Sequence, residues 1–272
     1  RVTIRFRTTH RYGEPVASRS SGSNHIRYWR DDVPVRLTTD APLSYVENEA
    51  SFILNRPVHM VFGTDEPFEG SLETTCRDFC ERTRDYWLEW VRRLAFSIDW
   101  QDEIIRAGIT LKLCSYEETG AIVAALTTSF PEVPKSGRNW DYRFCWMRDA
   151  FFVVRALNRI GATRTMEDFI SYILSVSAGR LGEVRPLYGV VHTDLIEERT
   201  APALSGYGGD GPVRVGNAAA NQDQHDVYGS IIMAATPMFF DRRLPRPGDV
   251  SLFETIEPLG EQAAKLALEP DA

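Results

Sequence analysis

SLETTCRDFCERTRDYWLEWVRRL, Ser71 to Leu94, is the stretch on which the fold turns. Leu72, Cys76, Phe79, Thr83, Trp87, Trp90 and Leu94 recur at intervals of 4, 3, 4, 4, 3 and 4, which sets them on one face of a long helix. Before it the period is different. Val2/Ile4/Phe6, Ile26/Tyr28, Val33/Val35/Leu37, Phe52/Leu54 and Val58/Met60/Phe62 alternate with other residues, the pattern of short antiparallel strands. After it only helical patterns follow. A helix is expected over Asp102 to Ser115, and Pro131, Pro134 and Gly137 then stop regular structure between Thr127 and Arg138. Ala150, Val153, Val154, Leu157 and Ile160 mark a helix ending at Gly161, and Met166, Phe169, Ile170, Ile173 and Leu174 mark the next, the two being expected to pack antiparallel. Residues 179–213 hold seven Gly and three Pro and read as a long loop of the functional kind. Helices resume near Ala218 to Ala235 and across Leu252, Ile256, Leu259, Ala263 and Leu266.

Strands first and helices afterwards argue for a β region followed by an α region, and against alternating βα units. Gly206, Gly208 and Gly211 do spell G-x-G-x-x-G, but no strand pattern precedes them and Pro212 follows at once, so the dinucleotide cradle lacks its context. The chain of 272 residues is 43% hydrophobic and 25% charged, enough to bury a core, and no apolar run of about 18 residues could span a bilayer. With 31 basic against 38 acidic residues the net charge is −7, a field that repels nucleic acid and anionic lipid and favours a neutral partner. Cys76, Cys80, Cys114 and Cys145 are too sparse for a disulfide framework, and Cys76 and Cys80 read as small core residues because no second Cys/His pair follows at metal spacing. Neither a signal peptide nor an Asn-x-Ser/Thr acceptor is read, and a cytoplasmic location is expected. A start without Met in a strand-like run, and an end just after a helical pattern, suggest a piece of something longer.

Chemistry concentrates in GRNWDYRFCWMRDAFF, Gly137 to Phe152, where six aromatic residues stand among Arg138, Arg143, Arg148, Asp141 and Asp149. Sugars need such a set: aromatic faces pack on the apolar face of a pyranose, while carboxylate and guanidinium groups take neighbouring hydroxyls as acceptor and planar donor. A plainer reading also fits, with Asp149 capping a helix that starts at Ala150 and Trp140 and Trp146 filling a core. His10, His25, His59, His192 and His225 are scattered, only His192 and Asp194 lying close in sequence. Glu183, Asp194, Glu197, Glu198, Asp223 and Asp226 are candidate acid/base carboxylates whose pairing spacing cannot decide.

NWDYRFCWMRDA, Asn139 to Ala150, resembles the signature of the bacterial branch of glycoside hydrolase family 15, the glucoamylase-like and trehalase-like enzymes. LKLCSYEETGAIVAALTTSFPE (Leu111 to Glu132), RPLYGV (Arg185 to Val190), ALSGY (Ala203 to Tyr207) and GPVRVGNAAANQDQHDVYGS (Gly211 to Ser230) resemble further blocks of that family in the same order. The resemblance covers most of the chain from about Trp87 onward, with His225 and Ser230 as departures where an apolar residue and Glu are expected. It implies a β + α multidomain fold: part of an antiparallel β-sandwich over residues 1–66, a linker helix over 67–100 and the first half of an (α/α)6 barrel over 101–272.

The activity implied is inverting, exo-acting release of glucose from α-glucosides. Glucoamylase-like action on maltooligosaccharides leads, trehalase activity on α,α-trehalose is the alternative, and a noncatalytic carbohydrate-binding fragment is the alternative of another class. Inversion uses two Glu residues roughly 6.5–9.5 Å apart, one as general acid and one as general base on water. The resemblance places both beyond Ala272, so no catalytic residue is assigned within the chain. Arg148 and Asp149 match the family pair that binds the terminal glucose, Tyr142 an aromatic near the reacting centre and Trp146 a pocket wall, while Asn217, Gln224 and Asp226 fall nearby with binding and scaffold roles both open. No cofactor and no metal is implied, the partner is a small α-glucoside, and neither nucleic acid nor membrane is expected.

Overall fold

The computed structural model describes residues 1–16, 18–178, 184–191 and 196–271. The chain divides into two compact units, Arg1–Trp90 and Val91–Ala272. The first is built on a four-stranded antiparallel sheet of β1 (Ser18–Ser21), β2 (His25–Arg30), β3 (Val33–Thr39) and β4 (Met60–Thr64), adjacent in that order. Register sets Ile26 opposite Leu37, Tyr28 opposite Val35, and Leu37 opposite Phe62. Alternation therefore gives one face to Ile26, Tyr28 and Leu37, which form a core with Ala41 and Val46. Phe6 packs on this core, its ring centroid 5.7 Å from Tyr28 and 5.0 Å from Phe62. It does so outside a strand. The run expected at Val2/Ile4/Phe6 pairs only as Val2–Thr3 with Ser51–Phe52, because burial of the apolar side chains does not require ladder bonds beyond Thr3.

Helix α1 (Leu72–Arg92) covers the opening stretch of periodic sequence, with Ser71 Oγ accepting from the Thr74 backbone N–H at 3.1 Å. None of its residues is buried. In the second unit α2 (Gln101–Leu113), α3 (Met147–Arg159), α4 (Thr163–Ser177), α5 (Asp226–Ala235) and α6 (Val250–Leu266) follow. Helix α3 packs on α4 and α5, and α5 on α6. The expected stripes face inward: Ala150, Val154 and Leu157 of α3 and Met166, Phe169, Ile170 and Ile173 of α4 are buried. Gly161 ends α3 at φ +72°, a conformation that suits glycine at this position. Two expectations are corrected. Ala218 to Ala235 is a 3-10 turn over Ala218–Asn221 and then α5, and the loop after α4 carries short strands, Leu187–Tyr188 and Arg199–Thr200, among its described residues. No described helix is long and apolar enough to cross a membrane.

Candidate active site

Backbone pairing builds the site. The carbonyls of Trp140, Tyr142 and Phe144 accept from the N–H groups of Ser129, Ala125 and Ala124 at 2.8, 3.0 and 2.9 Å, so the chain runs largely extended toward the Cys145–Trp146 strand, with a bend at Phe144. An extended chain sends alternate side chains to opposite sides. Trp140, Tyr142 and Trp146 turn to a pocket of about 470 Å³, while Asp141 and Cys145 are fully buried. Cys145–Trp146 pairs with Leu187–Tyr188, the Met147 N–H reaches the Pro186 carbonyl at 2.9 Å, and α3 begins there. Trp146 is thus the N-cap, without a side-chain cap bond, and the capping alternative for Asp149 is overturned because the strand pairing starts the helix three residues before Ala150. Arg148 and Asp149 occupy the first turn and line the same pocket. A carboxylate there sits favourably in the positive end of the helix dipole.

The four residues singled out from the sequence, Tyr142, Trp146, Arg148 and Asp149, therefore meet in one cavity. Tyr142 and Trp146 rings lie 5.5 Å apart, and Tyr142 Oη donates to Glu132 Oε1 at 2.7 Å. Burial and that bond push the phenol up to about 12, so it stays a neutral donor. Arg148 is locked by the start of α5 and the turn before it: Nε and Nη2 donate to Asp226 Oδ2 and Oδ1 at 2.5 and 3.1 Å, and Nη2 also to Gln224 Oε1 at 2.8 Å. Gln224 Nε2 donates in turn to Gln222 Oε1 at 2.8 Å. Asp149 is exposed at the pocket, yet the protein packed around its carboxyl raises its pKa; Arg148 opposes the rise and Asp226 adds to it.

The facing wall hangs on Asp141. Its carboxylate accepts from Arg143 Nε and Nη2 at 2.9 and 2.8 Å and from the Gly216 N–H at 3.1 Å, and its carbonyl from Asn217 Nδ2 at 3.1 Å. Gly216 is obligatory there: at φ +81°, a Cβ would stand 1.9 Å from the Glu197 carbonyl oxygen. Asn217 then caps the 3-10 turn by accepting from the Ala219 N–H at 3.0 Å, which gives it a scaffold role at the pocket wall. Glu198 reaches the same pocket, its carboxylate accepting from Arg214 Nε at 3.1 Å and the Ala218 N–H at 3.2 Å, while the Arg214 guanidinium lies 4.9 Å from the Trp140 ring centroid. Trp140 and Trp146 are only half-buried, so neither simply fills a core.

Gln222 also lines the pocket, placed there as the C-cap of the 3-10 turn, a position that no local sequence pattern marks. Asp223 lies instead in a neighbouring polar cavity with His225, and Glu183, His192 and Asp194 are outside the described residues. No group of His, Cys, Asp and Glu suited to a metal occurs among the described residues. Chemically the pocket offers aromatic faces, an anchored planar donor and anionic acceptors, a combination suited to a neutral polyhydroxyl ligand.

A family model described as glycosyl hydrolases family 15 matches residues 101–258. Among curated proteins, a trehalase of Mycolicibacterium smegmatis is 41% identical over 155 residues, 56% of this chain and 23% of the relative. A trehalase of Mycobacterium tuberculosis is 37% identical over 194 residues, 70% of this chain and 28% of the relative. One from Thermoplasma volcanium is 31% identical over 249 residues, 87% of this chain and 38% of the relative. The matched stretches thus span between 23% and 38% of the lengths of these relatives. No solved structure matches the chain.

Proposed function

The chain belongs to glycosyl hydrolases family 15, and on that premise we propose that it carries the terminal-sugar pocket of an enzyme hydrolysing an α-glucoside, with α,α-trehalose as the favoured substrate. The names of the relatives turn the order of preference from maltooligosaccharides to trehalose. The observation that carries the reading is the gathering of Tyr142, Trp146, Arg148 and Asp149 in one pocket of about 470 Å³, a small-molecule volume. In this reading Asp149 accepts from a hydroxyl of the terminal glucose, Arg148 donates to its neighbour, and Trp146 and Tyr142 close on the apolar ring face. All four hold the sugar and none transfers the proton. Asp226 and Gln224 position Arg148, so that little ordering is left for the bound state.

The same reading assigns residues 1–66 to part of a β-sandwich, 67–100 to a linker helix and 101–272 to the first half of an (α/α)6 barrel; the sheet-then-helices order supports it. It places the protein in the cytoplasm, a setting that the four free cysteines favour. The decisive experiment measures glucose release from trehalose and from maltotriose side by side, on this chain and on a polypeptide of the relatives' length that contains it. Release from trehalose alone is expected, and from the longer polypeptide only, since the residues assigned here hold the sugar without transferring a proton. Release from maltotriose restores the glucoamylase-like order, and release from neither overturns the proposal.

A further inference from the structure

The face of the first unit's sheet turned away from its core carries an unusual charge arrangement. Register sets Arg27 of β2 directly opposite Arg36 of β3, and His25 opposite Thr38. Like charges so placed repel, and buried charges ordinarily find partners. Arg36 is only 7% exposed. Asp65 supplies a counter-charge, but both of its oxygens meet the single Nε of Arg27, each at 2.8 Å, and Arg36 Nη1 stands 4.0 Å away. Arg36 Nε donates to Thr38 Oγ1 at 2.9 Å. The terminal nitrogens of both guanidinium groups have no hydrogen-bond acceptor among the described residues. All these side chains line a polar cavity of about 460 Å³. His25, on the same wall, reports the local field: burial lowers its pKa, Arg36 and Arg27 lower it further, and Asp65 offsets them least.

We propose that this cavity is a binding site for a small oxyanion, a phosphate or a carboxylate group, held by the terminal donors of Arg27 and Arg36. Two planar forks set across adjacent strands match the lone pairs of such a group, and a single bound negative charge would balance the pair once Asp65 is counted. The site lies within the first unit and is distinct from the Arg148 pocket.

The test is isothermal titration of the full chain with inorganic phosphate and, separately, with acetate, at ionic strength held constant with chloride. Saturable binding of one anion per chain is expected. Arg36→Gln should weaken it by roughly tenfold or more, since charged hydrogen bonds are lost. Should Arg36→Gln fail to fold, Arg27→Gln, at a more open position, carries the test with the same expected loss. Tighter phosphate binding assigns a phosphate group and tighter acetate binding a carboxylate. Absence of saturable heat with both anions, or unchanged affinity in the variants that fold, overturns the proposal.

Discussion

At Asp149 shape and charge can be separated. Asp149→Asn keeps the outline of the side chain and removes the anionic acceptor, and on the proposed reading kcat/KM for the favoured glucoside should fall by about 10²-fold, as when one preorganised transition-state contact is deleted. Near-normal turnover would remove Asp149 from sugar binding. Asp226→Asn frees Arg148 without touching the sugar directly, so a smaller loss, borne mainly by KM, is expected. Asp241 makes a pH statement. Hydrogen bonds from the Arg243 side chain hold its carboxyl down at about 2, below the ordinary value, with Asn158 adding to the effect. A depressed carboxylate stabilises the fold above its unfolded pKa and loses that contribution as pH falls through the folded one. Wild type should therefore exceed Asp241→Asn in urea midpoint at pH 6, with the gap narrowing toward pH 2.5; a constant gap would refute the ionic origin. Arg148 and Asp149 were legible because they sit in a dense run of aromatic and charged residues that also resembles a family signature. The role of Asp141 was not. The groups that donate to it belong to residues 143, 216 and 217, and no local pattern announces the contacts to 216 and 217, which depend on how a distant turn folds.

Periodicity served the elements unequally. Helices α3 and α4 were readable because a stripe at 3.6 spacing meets a partner and is buried. Helix α3 starts three residues before the first residue of its apolar stripe: propensity near Ala150 gives no sign of the Cys145–Trp146 pairing with Leu187–Tyr188, a contact some forty residues along the chain that fixes the first turn. Strand alternation found β2 and β3 but overextended at Phe6, since burial and ladder bonding are separate requirements. Helix α1 shows a stripe without burial. Isolated helices gain little beyond propensity, and most helical stability in proteins comes from packing. Backbone amides in the middle of α1 should therefore exchange with deuterium much faster than those of α4, which has eight buried residues. Hydrogen exchange followed by mass spectrometry checks this, and equal protection of the two helices would show that α1 is held by something other than its own turns.

Across the whole molecule the balance of covered and open apolar surface carries the argument. Phe79 is 65% exposed, Ile98 89% and Trp100 73%, in the stretch that follows the sheet. Within the second unit an apolar cavity of about 710 Å³ opens between α2 and α3, lined by Phe96, Ile104, Leu111 and Ile160. Scattered exposed apolar residues are ordinary, but contiguous apolar area is not, and it drives association when no polar rim or charge opposes it. A net charge of −7 opposes association over distance, yet at physiological ionic strength that repulsion is screened beyond about 8 Å. The chain of 272 residues should therefore self-associate reversibly, more strongly as salt rises. Sedimentation velocity across a concentration series checks this, and Phe79→Glu in the first unit or Ile104→Glu in the second should each shift the distribution toward monomer by placing charge on its own apolar surface. Circular dichroism would confirm that both variants still fold. A monomer insensitive to concentration and salt would mean that these faces are too divided to meet a partner. Weakening of association by added salt would instead make it electrostatic and shift attention from apolar to charged surfaces.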